Sequence, residues 1–200
     1  MTAAARNEVR IIGGAWRGRK IRFPPDVPGL RPTPDRVRET LFNWLREEVS
    51  GSRCLDLYAG SGALGLEALS RGAREVVFVD RDPRVARSLT ETLAAFGGDG
   101  GIVRREDARA FLLAGGEPFD IVFLDPPFDA GVLPVLTSLI DEHAWLRPGG
   151  LVYLEASAGD AAPPLPATWS LHRSKRAGEV GYHLARAGES GRAPAEPASS

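Results

Sequence analysis

Residues 54–65 read CLDLYAGSGALG, a strand-sized apolar run that breaks into a glycine-rich turn. The run from Cys54 to Tyr58 is interrupted only by Asp56, and its length suits a buried strand. Gly60, Gly62 and Gly65 then follow in the order G-x-G-x-x-G, after the strand and at the opening of a helical pattern. Glycine lets such a turn approach a ligand without a β-carbon clash. Because glycines also mark tight turns that hold nothing, the neighbouring residues must decide. Twenty residues beyond Gly60, at the end of EVVFVD (75–80), stands Asp80. A carboxylate there can accept hydrogen bonds from both hydroxyls of a ribose.

Working outward, short apolar strands alternate with helical stretches. A helix is expected from about Gly62 to Arg71, one opening at Pro83, a short strand near Ile102 and Val103, and a helix after Asp107. The strand DIVFLD (120–125), a helix after Gly131 and the strand GLVYLE (150–155) complete the series. Regular alternation with apolar strands means an α/β fold, Rossmann-like, its mainly parallel sheet covered on both faces. The end differs: Thr168 to Arg173 and Glu179 to Ala185 read as an antiparallel hairpin joining the sheet.

Towards the amino terminus, VRIIGGAWRGRKIRF (9–23) alternates apolar and basic residues around Gly13 and Gly14, as a short twisted ribbon would. Its exposed face would carry Arg17, Arg19, Lys20 and Arg22. After a proline-rich connection, Thr33-Pro34-Asp35 reads as an N-cap, a first-turn proline and an acidic first turn. In the helix that follows, Val37, Leu41, Trp44 and Leu45 face inward, while Arg36, Arg38 and Glu39 are expected to point elsewhere. The organisation expected is a basic extension over 1–30, one domain over 31–186, and a disordered tail over 187–200.

The net charge of −1 conceals an asymmetry. Residues 1–46 hold ten Lys/Arg against four Asp/Glu, whereas residues 47–200 hold fifteen against twenty-two. A basic arm on a mildly acidic body suits contact with phosphates, although a solvated arginine-rich surface would look the same. With 43% hydrophobic and 26% charged residues the composition is that of an ordinary globular protein. No apolar run approaches the roughly 20 residues of a membrane span, and no apolar signal core opens the chain. A cytoplasmic location is therefore expected. The single cysteine, Cys54, reads as a buried small hydrophobe. His143, His172 and His183 are widely spaced, so no metal site is expected.

Two further acids bear on the ligand. Asp56 lies just before the glycine turn, where it would repel a pyrophosphate but welcome the cationic groups of S-adenosyl-L-methionine. Asp107 can accept from an adenine amino group, or simply cap the next helix. Asp125-Pro126-Pro127-Phe128 then closes the fourth strand, at the sheet edge where ligands of this architecture bind. The exocyclic amine of a base is a poor nucleophile because its lone pair is delocalised into the ring. The Asp125 carboxylate and the Pro126 carbonyl can both accept from it and turn that lone pair toward a methyl donor. Two prolines hold these acceptors still, and Phe128 offers a face for stacking the base, worth roughly 1–3 kcal/mol. A nicotinamide-dependent oxidoreductase would account for the glycines but not for this tetrapeptide. The tetrapeptide alone permits adenine N6, cytosine N4 or guanine N2.

Together these segments resemble the class I S-adenosylmethionine-dependent methyltransferases, and specifically the RsmD family of bacterial 16S rRNA guanine-N2 methyltransferases. The resemblance spans about residues 9–186 and is carried by RIIGGAWRGRKI (10–21), RPTPDRVRETLFNWL (31–45), LDLYAGSGALGLEALSRGA (55–73) and FLDPPF (123–128). It implies a pocket for S-adenosylmethionine formed by Gly60, Ser61, Gly62, Asp80 and Asp107, with Asp56 beside them, and Asp125 to Phe128 as the grip on a flipped guanine. It also implies that Arg17, Arg19, Lys20, Arg31 and Arg36 contact RNA, that the RPTPDRVRE segment closes over the site with Arg31, Thr33 and Arg36 as candidates for cofactor or RNA contact, although an N-cap explains Thr33 equally well, and that the substrate is 16S rRNA in an assembled or partly assembled small ribosomal subunit. The nearest alternatives are a DNA or RNA adenine-N6 methyltransferase and a non-catalytic assembly factor.

Overall fold

The computed structural model describes residues 7–28, 30–127, 131–159 and 163–188. The expected disordered tail lies almost wholly outside them, as does Phe128. A two-stranded ribbon, β1 (Glu8–Arg10) and β2 (Lys20–Arg22), precedes α1 (Asp35–Trp44). Then come β3 (Arg53–Leu57), α2 (Ala63–Ser70), β4 (Glu75–Asp80), α3 (Pro83–Phe96), β5 (Gly101–Arg105), α4 (Ala108–Ala114), β6 (Phe119–Leu124) and α5 (Leu133–Glu142). The chain continues through β7 (Leu146–Ser157), β8 (Trp169–Ala177) and β9 (Val180–Ala187).

Strands β3 to β9 form one seven-stranded sheet in the order β5-β4-β3-β6-β7-β9-β8. The first five pair in parallel, and β9 pairs antiparallel with both β7 and β8. Because the strand order reverses between β3 and β6, their carboxyl ends open a crevice at the point where this architecture binds ligands. The terminal hairpin is as expected but longer: β8 runs on to Ala177, before a tight turn at Gly178 and Glu179, and β9 runs on to Ala187.

Two apolar layers flank the sheet. One joins Cys54, Phe78, Phe123 and Tyr153 to α1, α2 and α3; the other joins Leu55, Val79, Val122 and Leu154 to α4 and α5. Alternate strand residues face opposite layers, as the pleat requires. The ribbon contributes Val9, Ile11 and Ile21 to the first layer.

The start of α1 corrects two expectations. Pro34, not Thr33, is the N-cap, and no side chain caps the helix. Thr33 is spent elsewhere, on Asp125. Arg38 does not point outward: its side chain is 0% exposed. Its guanidinium donates to the carbonyls of Thr33 (3.1 Å) and Arg10 (2.9 Å) and to the carboxylates of Asp35 (2.6 Å) and Glu67 (3.4 Å). Glu67, equally buried on α2, accepts from the amides of Ile12 and Gly13, both at 2.8 Å, and from Arg71. A buried charge needs a partner and filled hydrogen-bonding capacity, and this pair satisfies both by tying ribbon, α1 and α2 together. Helical periodicity could not show it, since the ribbon supplies half the partners.

Candidate active site

The glycine turn takes the shape its composition demands. Gly62, the N-cap of α2, has φ +73°, a left-handed conformation that strains any residue with a β-carbon. Gly65 sits inside α2 against β3 and β4, where a β-carbon would collide with the Phe78 ring and lie 2.8 Å from Asp56 Oδ2. This third glycine serves close helix–strand packing. Tyr58, which the sequence reading passed over, leaves β3 with φ +61°, a strained backbone of the kind that collects at functional turns.

Each predicted acid stands at the carboxyl edge of the sheet. Asp80 ends β4 and accepts from the Gly60 amide at 3.0 Å through one oxygen and from the Asp82 amide at 2.9 Å through the other. The contact fixes the glycine turn beside the carboxylate, and each oxygen retains a lone pair for a ribose hydroxyl. Asp107 is the N-cap of α4: Oδ1 accepts from Arg109 and Ala110. The capping role is therefore real, and Oδ2 is left for another donor. Ser61 is buried, its hydroxyl 3.3 Å from the Ala63 amide.

Asp56 is buried, and its Oδ2 accepts from the Gly65 amide at 2.9 Å. Burial pushes its carboxyl up to about 8, partly offset by that hydrogen bond and reinforced by Asp80. Asp125, immediately after β6, accepts from the Thr33 hydroxyl at 3.3 Å. Burial holds its carboxyl well above the usual range, with Glu155 and then Asp56 adding to the shift. Pro126 is buried behind it and Pro127 is exposed.

Glu155, which was not anticipated, belongs to this group. The pairing of Leu124 with Leu154 sets Glu155 on β7 beside Asp125. Its carboxylate is buried and accepts from the Tyr153 hydroxyl at 2.7 Å. The final position of an apolar strand gave no signal for it, because only the β6–β7 register makes it Asp125's neighbour.

The five predicted RNA-contact residues separate into two sets. Arg17, Arg31 and Arg36 are exposed, and none has an ion pair or side-chain hydrogen bond among the described residues. Arg19 instead donates to the Ala95 and Phe96 carbonyls at 2.7 and 3.4 Å and lies 3.8 Å over the Phe96 ring. Lys20 pairs with Glu8 at 2.8 Å. A groove of about 510 Å³ runs between ribbon and α1, lined by residues that include Arg10, Lys20 and Thr33, and so leads toward Asp125.

A parallel sheet with a strand reversal, a glycine turn clamped by the acid of the next strand, and Asp-Pro-Pro ending the neighbouring strand define a class I methyltransferase. The family described as Conserved hypothetical protein 95 matches residues 9–186. Ribosomal RNA small subunit methyltransferase D of Escherichia coli K12 is 49% identical over 177 residues, covering 88% of this chain and 89% of its own. The Haemophilus influenzae protein of the same name is 43% identical, covering 92% and 96%. The solved structure of the Escherichia coli protein yhhF superposes with a TM-score of 0.85 at 46% identity, over 92% of this chain and 99% of that one. The chain belongs to this family, that of ribosomal RNA small subunit methyltransferase D, or RsmD.

Among the described residues no helix is long and apolar enough to cross a membrane. Cys54 is buried and its thiol is pushed up to about 12, chiefly by desolvation, which suits packing rather than reaction.

Proposed function

We propose that the chain transfers a methyl group from S-adenosylmethionine to the N2 amine of a guanine in 16S rRNA of the small ribosomal subunit. The single observation carrying this reading is Asp125, held at the strand reversal by Pro126, Pro127 and the Thr33 hydroxyl, on the same edge as the glycine turn and Asp80.

The residues fit the cofactor by their chemistry. Asp80 offers acceptors for the ribose hydroxyls, and Asp107 Oδ2 offers one for the adenine amine. Asp56 places a carboxyl where the methionine end, with its cationic ammonium and sulfonium, would lie, and those cations favour its charged form against the burial that raises it. Bound there, the cofactor supplies an electrophilic methyl carbon. Asp125 and the Pro126 carbonyl accept the two N–H bonds of the base amine, so its lone pair is aimed at that carbon and its growing positive charge is stabilised. Phe128 provides the stacking face, and the exposed Arg17, Arg31 and Arg36 bind phosphates.

The substrate is an assembled or partly assembled small subunit, for which a basic ribbon beside the site is better suited than for a free nucleotide. The test is methyl transfer from labelled S-adenosylmethionine to small subunits from a strain lacking this protein, followed by nucleoside analysis. N2-methylguanine at one site is the expected product. N6-methyladenine would overturn the base assignment, and no transfer despite cofactor binding would overturn the enzymatic reading.

A further inference from the structure

Asp56, Asp125 and Glu155 place three carboxylates on one face of three neighbouring strands, β3, β6 and β7. Among the described residues none of the three forms an ion pair, and they do not make a metal-ligand set. The titratable groups facing Asp125 and Glu155 are Asp56 from β3, Tyr153 on β7 itself and Tyr182 from β9, with Thr33 the hydroxyl above them. Tyr153 donates to Glu155, and Thr33 donates to Asp125 and lies within reach of Glu155. Burial pushes the Glu155 carboxyl up as it does that of Asp125; the Tyr153 and Thr33 hydroxyls favour the charged form of Glu155 against that burial, yet neither brings a positive charge. Carboxylates set side by side on one sheet face and largely removed from water resist ionising together without a cation.

We propose that Glu155 is a positioning residue acting through Asp125: its buried charge keeps a proton on Asp125 that leaves when the cationic methyl donor binds and is replaced from the base amine when the methyl is transferred. This rests on the reaction proposed above. The charges and atoms balance. The carbon–sulfur bond breaks with its electron pair staying on sulfur, and the N2 lone pair forms the new carbon–nitrogen bond. The N2–H bond then breaks, its electrons staying on nitrogen and its proton going to the Asp125 carboxylate. One positive charge is lost at sulfur as one negative charge is lost at Asp125, so the buried cluster never carries uncompensated charge. Glu155 makes Asp125 a strong enough proton acceptor for that exchange, and Tyr153 steadies Glu155.

Calorimetry of S-adenosylmethionine and S-adenosylhomocysteine binding to the full chain, in buffers of different ionisation enthalpy near pH 7, reads the proton directly and needs no turnover. The wild type should release roughly one proton more on binding the sulfonium than on binding the neutral thioether. Glu155→Gln keeps size and hydrogen bonding but removes the charge. It should close that difference and move the acid limb of kcat to lower pH, while leaving KM for small subunits unchanged. Tyr153→Phe, a milder change should Glu155→Gln fold poorly, should shift both readouts the same way by less. Equal proton release from the two ligands by the wild type, or an unaltered release and pH profile in Glu155→Gln, overturns the proposal. If the wild type shows the proton difference yet methylates no rRNA, the reaction assignment fails and the proton-return step falls with it.

Discussion

Arg38→Met removes the guanidinium that joins ribbon, α1 and α2 while nearly conserving the volume of its aliphatic stem. Four hydrogen bonds are lost, two of them to the Thr33 and Arg10 carbonyls, and Glu67 loses one of its two cationic partners. Removing one member of a buried pair costs about 3–5 kcal/mol, but Arg71 remains on Glu67 at 2.8 Å and discounts that figure. The orphaned carbonyls add about 1–3 kcal/mol each if they stay dry, and the bond to the exposed Asp35 contributes little. A net loss of about 3 kcal/mol is expected, which lowers Tm by ~6–12 °C in a domain of this size. Denaturant unfolding of Arg38→Met, Glu67→Gln and the double variant forms the assay. The double variant should recover about 1 kcal/mol relative to Arg38→Met, because no charge is then left buried beside an apolar stem. A loss below about 1 kcal/mol for Arg38→Met, or strict additivity in the cycle, would refute the account of a buried charge network.

Asp125→Ala should reduce kcat by about 10²–10³-fold while S-adenosylhomocysteine affinity stays within a few-fold, since its proposed role is to hold the acceptor amine; unchanged turnover would dismiss that role. Arg17→Glu and Arg36→Glu should weaken RNA binding and flatten its salt dependence without moving Tm, whereas Arg19→Ala should lower Tm by releasing the end of α3. An unaltered salt slope would return Arg17 and Arg36 to the solvated surface. Asp56 has a folded-state carboxyl raised to about 8 from an ordinary value of 3.8. The folded chain therefore holds a proton that the unfolded chain gives up above the ordinary value, and stability falls as pH rises between the two. Asp56→Asn should melt at a higher temperature than the wild type at pH 8 and show no such advantage at pH 4; a constant difference across that range would contradict the assignment.

The readable parts of this site were those written in local spacing. The glycine turn and Asp80 are separated by one strand–helix–strand passage, so their sequence distance fixes their meeting at the sheet edge, and the Asp125 tetrapeptide sits at a strand end its apolar run announces. Thr33 stood open between a helix cap and a contact at the site, because a hydroxyl before Pro34-Asp35 has a good local use as a cap, and the tertiary partner, 92 residues away, won. Arg38 was misread for a related reason: a charged residue on a helix is placed outward by default, and the carbonyls and carboxylate that admit it to the core come from β1, α2 and the loop before α1. Glu155 was invisible until β6 and β7 were in register. What escaped the sequence at Thr33, Arg38 and Glu155 is thus a polar partner supplied by a strand, loop or layer that local spacing does not announce.

Helix α2 touches both working parts of the molecule. Its first residues follow the glycine turn at Gly62, and its last turn holds the ribbon through Glu67 and Ser70, the latter bonded to the Trp16 amide and the Gly13 carbonyl. From Gly62 to Ser70 the helix advances about 12 Å at 1.5 Å per residue. It therefore acts as a gauge, setting a fixed offset between the ribbon proposed to meet the substrate backbone and the turn proposed to hold the methyl donor. Lengthening α2 by one turn would leave the chemistry of both surfaces intact and change the nucleotide presented between them.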